Sequence, residues 1–254
     1  MTDSTRPRRT HEPPLAAVRT TASHTIAVGH LAELLAAVPA DVPFDSYRHA
    51  AIVDNALGRP TYEGRRRVLR HLRELYLLDA DRLEFSALRL VHADDPAALP
   101  LVAGMLALAR DELFRASWPV VAGARVGAVV TSVDLAEAVA ASGPGGLGAS
   151  TLAKVGRNVA ASWSQTGHLT GRQVKHRTRV EARPGAVAYA LLLGHLAGLR
   201  GLPLLDSPWF ALLDLADDER RSALDAAHRR GLIDVRSAGT VLEVDVRPLT
   251  GGSS

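Results

Sequence analysis

Residues 186–199 read AVAYALLLGHLAGL, and the fold turns on that stretch. It is apolar on every side, with His195 inside it and Arg200 just after. A membrane span needs about 20 consecutive apolar residues. This run is too short, so it reads as a helix buried all round in the core of a globular domain. Pro184 opens it, at the first turn, where proline's missing N–H costs nothing.

The segments on either side also read as helices, interrupted by two alternating stretches. Towards the C-terminus, Asp217–Arg230 is a charged helix stopped by Gly231. Leu232–Arg236 and Val241–Arg247 then form a hairpin around residues 237–240. Towards the N-terminus, His168–Glu181 alternates as a hairpin with Thr170-Gly171 near its turn. Before it Ser150 caps a helix to about Gln165, with Gly167 suited to its C′ position. GPGGLG, residues 143–148, is a linker. Ahead of it, 131–141 and 99–117 are helical, and 79–98 is a connector with a short helix or strand. Thr61 caps a helix to about Leu78, Phe44–Leu57 is a second, and residues 25–38 are a third. Three short helices with tight turns, the last of them basic, outline a helix-turn-helix unit.

The expected fold class is therefore mainly α, with winged-helix-like units and two small β-hairpins. A disordered basic arm, 1–23, precedes a helical domain at 24–142. A second helical domain at 149–248 carries the basic hairpin, and 249–254 is tail.

Composition removes several chemistries. Among 254 residues there is no cysteine, which excludes disulfides, thiol nucleophiles and cysteine metal sites. Aromatics make up 4%, too few for a base-stacking platform. The GPGGLG glycines are followed by Ala149-Ser150, whereas a phosphate loop needs Lys-Ser/Thr there. No two histidines are spaced i, i+4, and the serines lack a nucleophile-elbow context. Asp94-Asp95 and Asp217-Asp218-Glu219 fall at expected helix starts, where acids complement the dipole. The sequence thus offers no catalytic centre, metal site or cofactor site. The N-terminus shows no signal-peptide pattern, so a cytoplasmic location is expected.

Charge is the informative feature. Net charge is only +3, and all but two of the 30 basic residues are arginine, the exceptions being Lys154 and Lys175. Their distribution is uneven. Between Arg59 and Arg73, six arginines face Glu63 alone. At about 100° per residue, Leu69, Leu72, Leu75 and Tyr76 share one helix face, and Arg66, Arg67, Arg70 and Arg73 take the opposite one. Arg65 falls on the apolar side and must snorkel or pair with an acid. Between Lys154 and Arg183, seven basic residues face Glu181 alone. Lys154 and Arg157 lie away from the stripe Leu152, Val155, Val159, Trp163. In the hairpin, period two puts Lys175, Arg177 and Arg179 on one face, with Arg172 nearer the turn. Either ridge could be an ordinary solvated surface or a charged edge strand. Together they outline a groove-reading helix and a phosphate-touching wing.

Several stretches carry a resemblance. They are Asp54-Asn55-Ala56-Leu57-Gly58 leading into TYEGRRRVLRHLRELYLLD, then STLAKVGRNVAASWSQTGHL with the basic hairpin. Pro184-Gly185-Ala186-Val187-Ala188-Tyr189-Ala190 and Leu204-Leu205-Asp206-Ser207-Pro208-Trp209 complete the set. Across residues 25–247 the chain resembles the BrxA family of BREX phage-defence systems. The resemblance implies a small, mostly helical, non-enzymatic DNA-binding protein, likened in fold to the antitermination factor NusB. It brings no active-site motif, so the candidate residues rest on charge: Arg66, Arg67, Arg70, Arg73, Lys154, Arg157, Arg172, Lys175, Arg177 and Arg179. The expected partners are duplex DNA, with RNA as the other nucleic acid, and further components of a defence complex. No membrane, small-molecule substrate or cofactor is expected. The alternatives are a stand-alone winged-helix transcription regulator and a scaffold for acidic proteins.

Overall fold

The computed structural model describes Val18 and residues 20–142, 145–238 and 241–250. The chain is mainly helical with two small antiparallel hairpins. The helices are α1 Val28–Ala37, α2 Phe44–Ile52, α3 Tyr62–Tyr76, α4 Leu83–Asp94, α5 Leu99–Arg110, α6 Glu112–Gly123, α7 Ser132–Ser142 and α8 Ala149–Gln165. After the hairpin β1 Leu169–Thr170 and β2 His176–Arg177 come α9 Pro184–Leu196, α10 Pro208–Ala211 and α11 Asp217–Arg229. The strands β3 Asp234–Ala238 and β4 Val241–Asp245 and the short α12 Arg247–Thr250 close the chain. Among the described residues, no helix is long and apolar enough to cross a membrane.

The stretch 186–199 forms the middle of the molecule. Every residue from Gly185 to Gly194 in α9 is buried. That helix packs against α4, α5, α10 and α11. Surrounded in this way, a helix needs no polar face. Each buried leucine in it contributes roughly 1.5–3 kcal/mol.

Buried residues from Ile26 to Leu249 form one cluster, so the stretch around 145–148 joins packed helices and does not space two cores. Gly143 and Pro144 of that linker lie outside the described residues. Its flanking helices, α7 and α8, are in close contact. A Cβ on Gly156 would lie 2.1 Å from the Ser132 carbonyl oxygen.

Several boundaries differ from the sequence reading. The connector 79–98 contains a three-turn helix, α4, whose Phe85, Leu88 and Val91 are buried. The expected helix 99–117 breaks at Asp111, where the next helix starts. One Asp111 carboxylate oxygen accepts from the Leu113 and Phe114 N–H groups, an N-cap. The carboxylate also takes the Thr21 N–H at 2.8 Å and its hydroxyl at 2.7 Å. The second helix stops at Ile52, and Arg65, the misfit on α3, uses the carbonyl left free there at 2.8 Å, with that of Arg59, in place of an acid. Part of the expected arm is ordered too. Val18 pairs with Asp111 and its neighbours, and Thr20–Ala22 is a 3-10 turn packed on α8. Residues 1–17 and 19, the turn residues Gly239 and Thr240, and 251–254 lie outside the described residues. The Thr61 cap stands as read, its hydroxyl accepting the Gly64 N–H, and Gly167 has φ 88°.

Candidate nucleic-acid interface

The third helix divides its faces as its periodicity requires. Leu69, His71, Leu72, Leu75 and Tyr76 are buried, and Arg66, Arg67, Arg70 and Arg73 are exposed. Arg66 sits 3.3 Å from Glu63, with its guanidinium 5.7 Å from the Tyr62 ring centre. Arg73 lies 3.8 Å above the Phe44 ring, a cation–π contact that leaves its donors available. Together with Arg48 these side chains line a cavity of about 330 Å³ between α2 and α3. Arg67 and Arg70 have no ion pair among the described residues.

Further round, the 3-10 turn and the strand-like segment after it bridge α3 to α8. The Asn158 amide donates to the Thr21 carbonyl, and the Ile26 N–H to the Ser162 hydroxyl. On the other side, His71 and Tyr76 hydrogen-bond the carbonyls of Thr25 and Ile26. His24 is thereby set between the two helices, with its ring centre 4.8 Å from that of His71. Burial, then Lys154, Arg67 and Arg70, hold the His24 imidazole below its ordinary pKa, with Glu74 opposing. Lys154 of α8 and Arg67 and Arg70 of α3 thus approach His24 from two helices. Arg157, one turn beyond Lys154, is exposed. Val18, Ser23, His24, Arg67, Arg70, His71 and Glu74 line a cavity of about 400 Å³.

The hairpin corrects the sequence reading. Instead of spanning 168–181, its strands are two residues each, in the register Leu169↔Arg177 and Thr170↔His176. The other edge of β2 is taken by the loop after α6. The Gly127 N–H donates to the Arg177 carbonyl, the Arg177 N–H to that of Ala128, and the Val130 N–H to that of Lys175. Flanked on both edges, β2 turns Arg177 inward, to 4% exposure. Its guanidinium is used up internally. It binds both carboxylate oxygens of Asp214 and the carbonyls of Val121 and Thr178. Arg177 therefore does not share a solvent face with Lys175 and Arg179. Arg179 is exposed but committed, to Glu219 and to the Asp214 carbonyl. The Ala216 N–H first, and Arg179 next, hold the Glu219 carboxyl below the usual range. Lys175 donates to the Gly171 carbonyl at 2.6 Å, and Arg172 is exposed without an ion pair among the described residues.

One further acid removed positive charge that the local count left free, and its neighbour pairs with an arginine outside both clusters. Asp95 pairs with Arg183 at 2.8 Å and Asp94 with Arg230 at 2.6 Å. Sequence reasoning missed His24, Ser23 and His71. Ser23 is the last residue of the segment read as a disordered arm, and His24 lies just before the first expected helix. His71 did carry a signal, since its place on the α3 wheel adjoins the apolar stripe.

Among the described residues, no cluster of three His, Asp or Glu side chains could hold a metal ion. Compared with models of protein families and with curated protein sequences, the chain matches none of them.

Proposed function

We propose that the chain is a non-enzymatic, cytoplasmic protein that binds duplex DNA through the surface made by α3, α8 and the turn between them. The observation that carries this reading is the convergence of Arg67, Arg70 and Lys154 on one histidine, three cations against Glu74 alone. With Arg73 and Arg157 they make a set of cations spread over two helices. Like charges so arranged repel each other unless an anion faces them, and a phosphate backbone is an extended anion.

The resemblance to the BrxA family adds the setting, an accessory protein of a phage-defence complex. The stand-alone regulator would use the same surface but would dimerise on a palindromic site. A protein partner has its own support in four valines, in the loop after α6, at the start of α7 and just before β2. Val126, Val129, Val133 and Val174 are 53–67% exposed.

The test is fluorescence anisotropy on duplex DNA across a salt series. Five phosphate contacts give a slope of roughly −4 to −5 for log K against log salt. A slope near zero, or no binding at low salt, would remove the reading and favour a scaffold for acidic proteins.

A further inference from the structure

The cavity between α2 and α3 is a groove with a direction. Arg73, near the end of α3, lies over Phe44 at the start of α2. Arg65, near the start of α3, reaches the Ile52 carbonyl at the end of α2. The two helices therefore run antiparallel, side by side. One ridge of each lines the groove. From α2 come Phe44, Arg48 and Ile52, and from α3 come Tyr62, Arg66, Leu69, Arg70 and Arg73. The α2 ridge advances four residues at a step, so the groove runs for about 12 Å, roughly two helical turns.

Its floor and its rim differ in chemistry. Phe44 and Ile52 are half-buried and Leu69 is buried, so the floor is apolar. The rim carries five arginines, Arg67 completing the set, against Glu63 and the neighbouring Asp45. Both acids are exposed and sit in i, i+3 pairs, Glu63 with Arg66 and Asp45 with Arg48. Water screens such pairs, so an incoming carboxylate displaces them at little cost. Arg66 and Arg73 are laid against the Tyr62 and Phe44 rings. A stacked guanidinium keeps its N–H edge outward, and a planar fork held in advance loses less freedom on binding an acid. Tyr62 itself is 59% exposed.

An occupant that fits must use both parts. A phosphodiester backbone pairs with the rim and leaves the apolar floor wet. An amphipathic helix lays apolar side chains at i, i+4 and i+7 along such a floor. Asp or Glu on its flanks then meet the arginine forks, which take carboxylates in bidentate fashion. The volume of about 330 Å³ is at the low end for ligand pockets, enough for a few anchoring side chains. We propose that the α2–α3 groove docks an acidic amphipathic helix, about two turns long, from a partner protein. The groove shares Arg67 and Arg70 with the duplex-binding surface but does not rest on that reading.

The experiment selects a displayed library of random peptides of about 16 residues, four to five helical turns, against the full chain. Enriched peptides are then titrated by fluorescence anisotropy, beside duplex DNA. The expected consensus has apolar residues at i, i+3 or i+4, and i+7, with Asp or Glu beside them. Replacing the peptide's apolar anchors by alanine, or its acids by amides, should each weaken binding about tenfold. Arg48→Ala and Tyr62→Ala change exposed side chains that the duplex surface does not use. Each should weaken the peptide about tenfold and leave duplex affinity within about twofold. The peptide substitutions need no change in the protein, so they decide even if a variant fails to fold. No enrichment, an acidic consensus without apolar anchors, or peptides indifferent to both protein variants each overturns the site. If both variants weaken duplex DNA as much as the peptide, the groove belongs to the nucleic acid and the proposal falls. It also falls if the chain sediments as a dimer that both variants dissolve, since the occupant is then a second copy. A chain that takes the peptide but not the duplex keeps the groove and removes the duplex reading alone.

Discussion

Two stretches of this chain carry nearly the same linear charge, residues 59–73 and residues 154–183, and the fold treats them in opposite ways. The third helix keeps Arg67 and Arg70 exposed and without ion pairs among the described residues, and α8 adds Lys154 to them. The hairpin loses its charge to α11 and the loop before it. Asp214 takes Arg177, and Glu219 takes Arg179. The acids that neutralise it lie 37 and 40 positions away, beyond any local window. A count of charge along the chain measures what is present, whereas function depends on what is left after the fold has paired it.

The largest effect expected from this contrast is on stability. Arg177→Ala leaves the Asp214 carboxylate, largely buried, without its partner, and breaking a buried pair costs about 3–5 kcal/mol. Arg70→Ala, on the free helix face, should cost less than about 0.5 kcal/mol. Denaturant unfolding of the two variants gives both numbers. A hairpin variant that stays fully stable but loses DNA binding would reverse the comparison and restore the wing.

Next in size is acid sensitivity, because each region rests on one buried histidine. His71 lies beneath α3. His168 lies beneath the hairpin, its Nε2 3.0 Å from the Leu212 carbonyl, with the Trp118 and Trp163 rings edge-on to it. Burial lowers both pKa values to about 4. The unfolded chain protonates these rings near pH 6.5 and the folded chain does not, so the unfolded state binds more protons between those values. Stability is therefore full above about pH 6.5 and falls as pH drops towards 4. Each histidine accounts for up to about 3 kcal/mol of that loss. A pH series of unfolding free energies checks it. His168→Gln should flatten the dependence by one histidine's share.

How far the sequence could be read follows from the same contrast. Periodicity is local, and it located α3, α8 and α9, the Thr61 cap and the Gly167 C-cap. The split at Asp111 was hidden because the residue that fixes it, Thr21, sits 90 positions away. The depth of Arg177 was hidden for a related reason. Period two assigns alternate residues to faces but not which face meets solvent, and the loop at 127–130 closed the second edge of β2. Of the candidate site, the α3 arginines and Lys154 were legible as charge. Their convergence on His24 was not, since the segment holding His24 lacks any periodic signal.

A third prediction bears on binding alone. Replacing Arg67, Arg70 and Lys154 together by alanine removes the unpaired cations around His24. The salt slope on duplex DNA should flatten by up to about three, with equal weakening on every sequence if the contacts are to phosphate. Melting temperature should hold, because all three side chains are exposed. Arg172→Ala with Lys175→Ala, from the hairpin tip, should change the slope less. If the two sets have equal effects, the hairpin contributes to binding despite its internal pairing.

The smallest effect comes from freeing one cation. Glu219 holds Arg179 and also caps α11, its carboxylate accepting the Ala216 N–H at 2.8 Å. Glu219→Gln keeps an amide oxygen for that cap and removes the charge. The exposed pair is screened by water, so its loss should leave melting unchanged within error. Arg179 would then be free to meet a phosphate, and the salt slope on duplex DNA should steepen by at most about one. Combining this variant with the α3–α8 triple tests whether the freed arginine acts on the same duplex. A steepening that persists in the combination means that the hairpin reaches DNA by itself. A steepening that vanishes with the triple means that it binds only when α3 and α8 have already placed the duplex beside it.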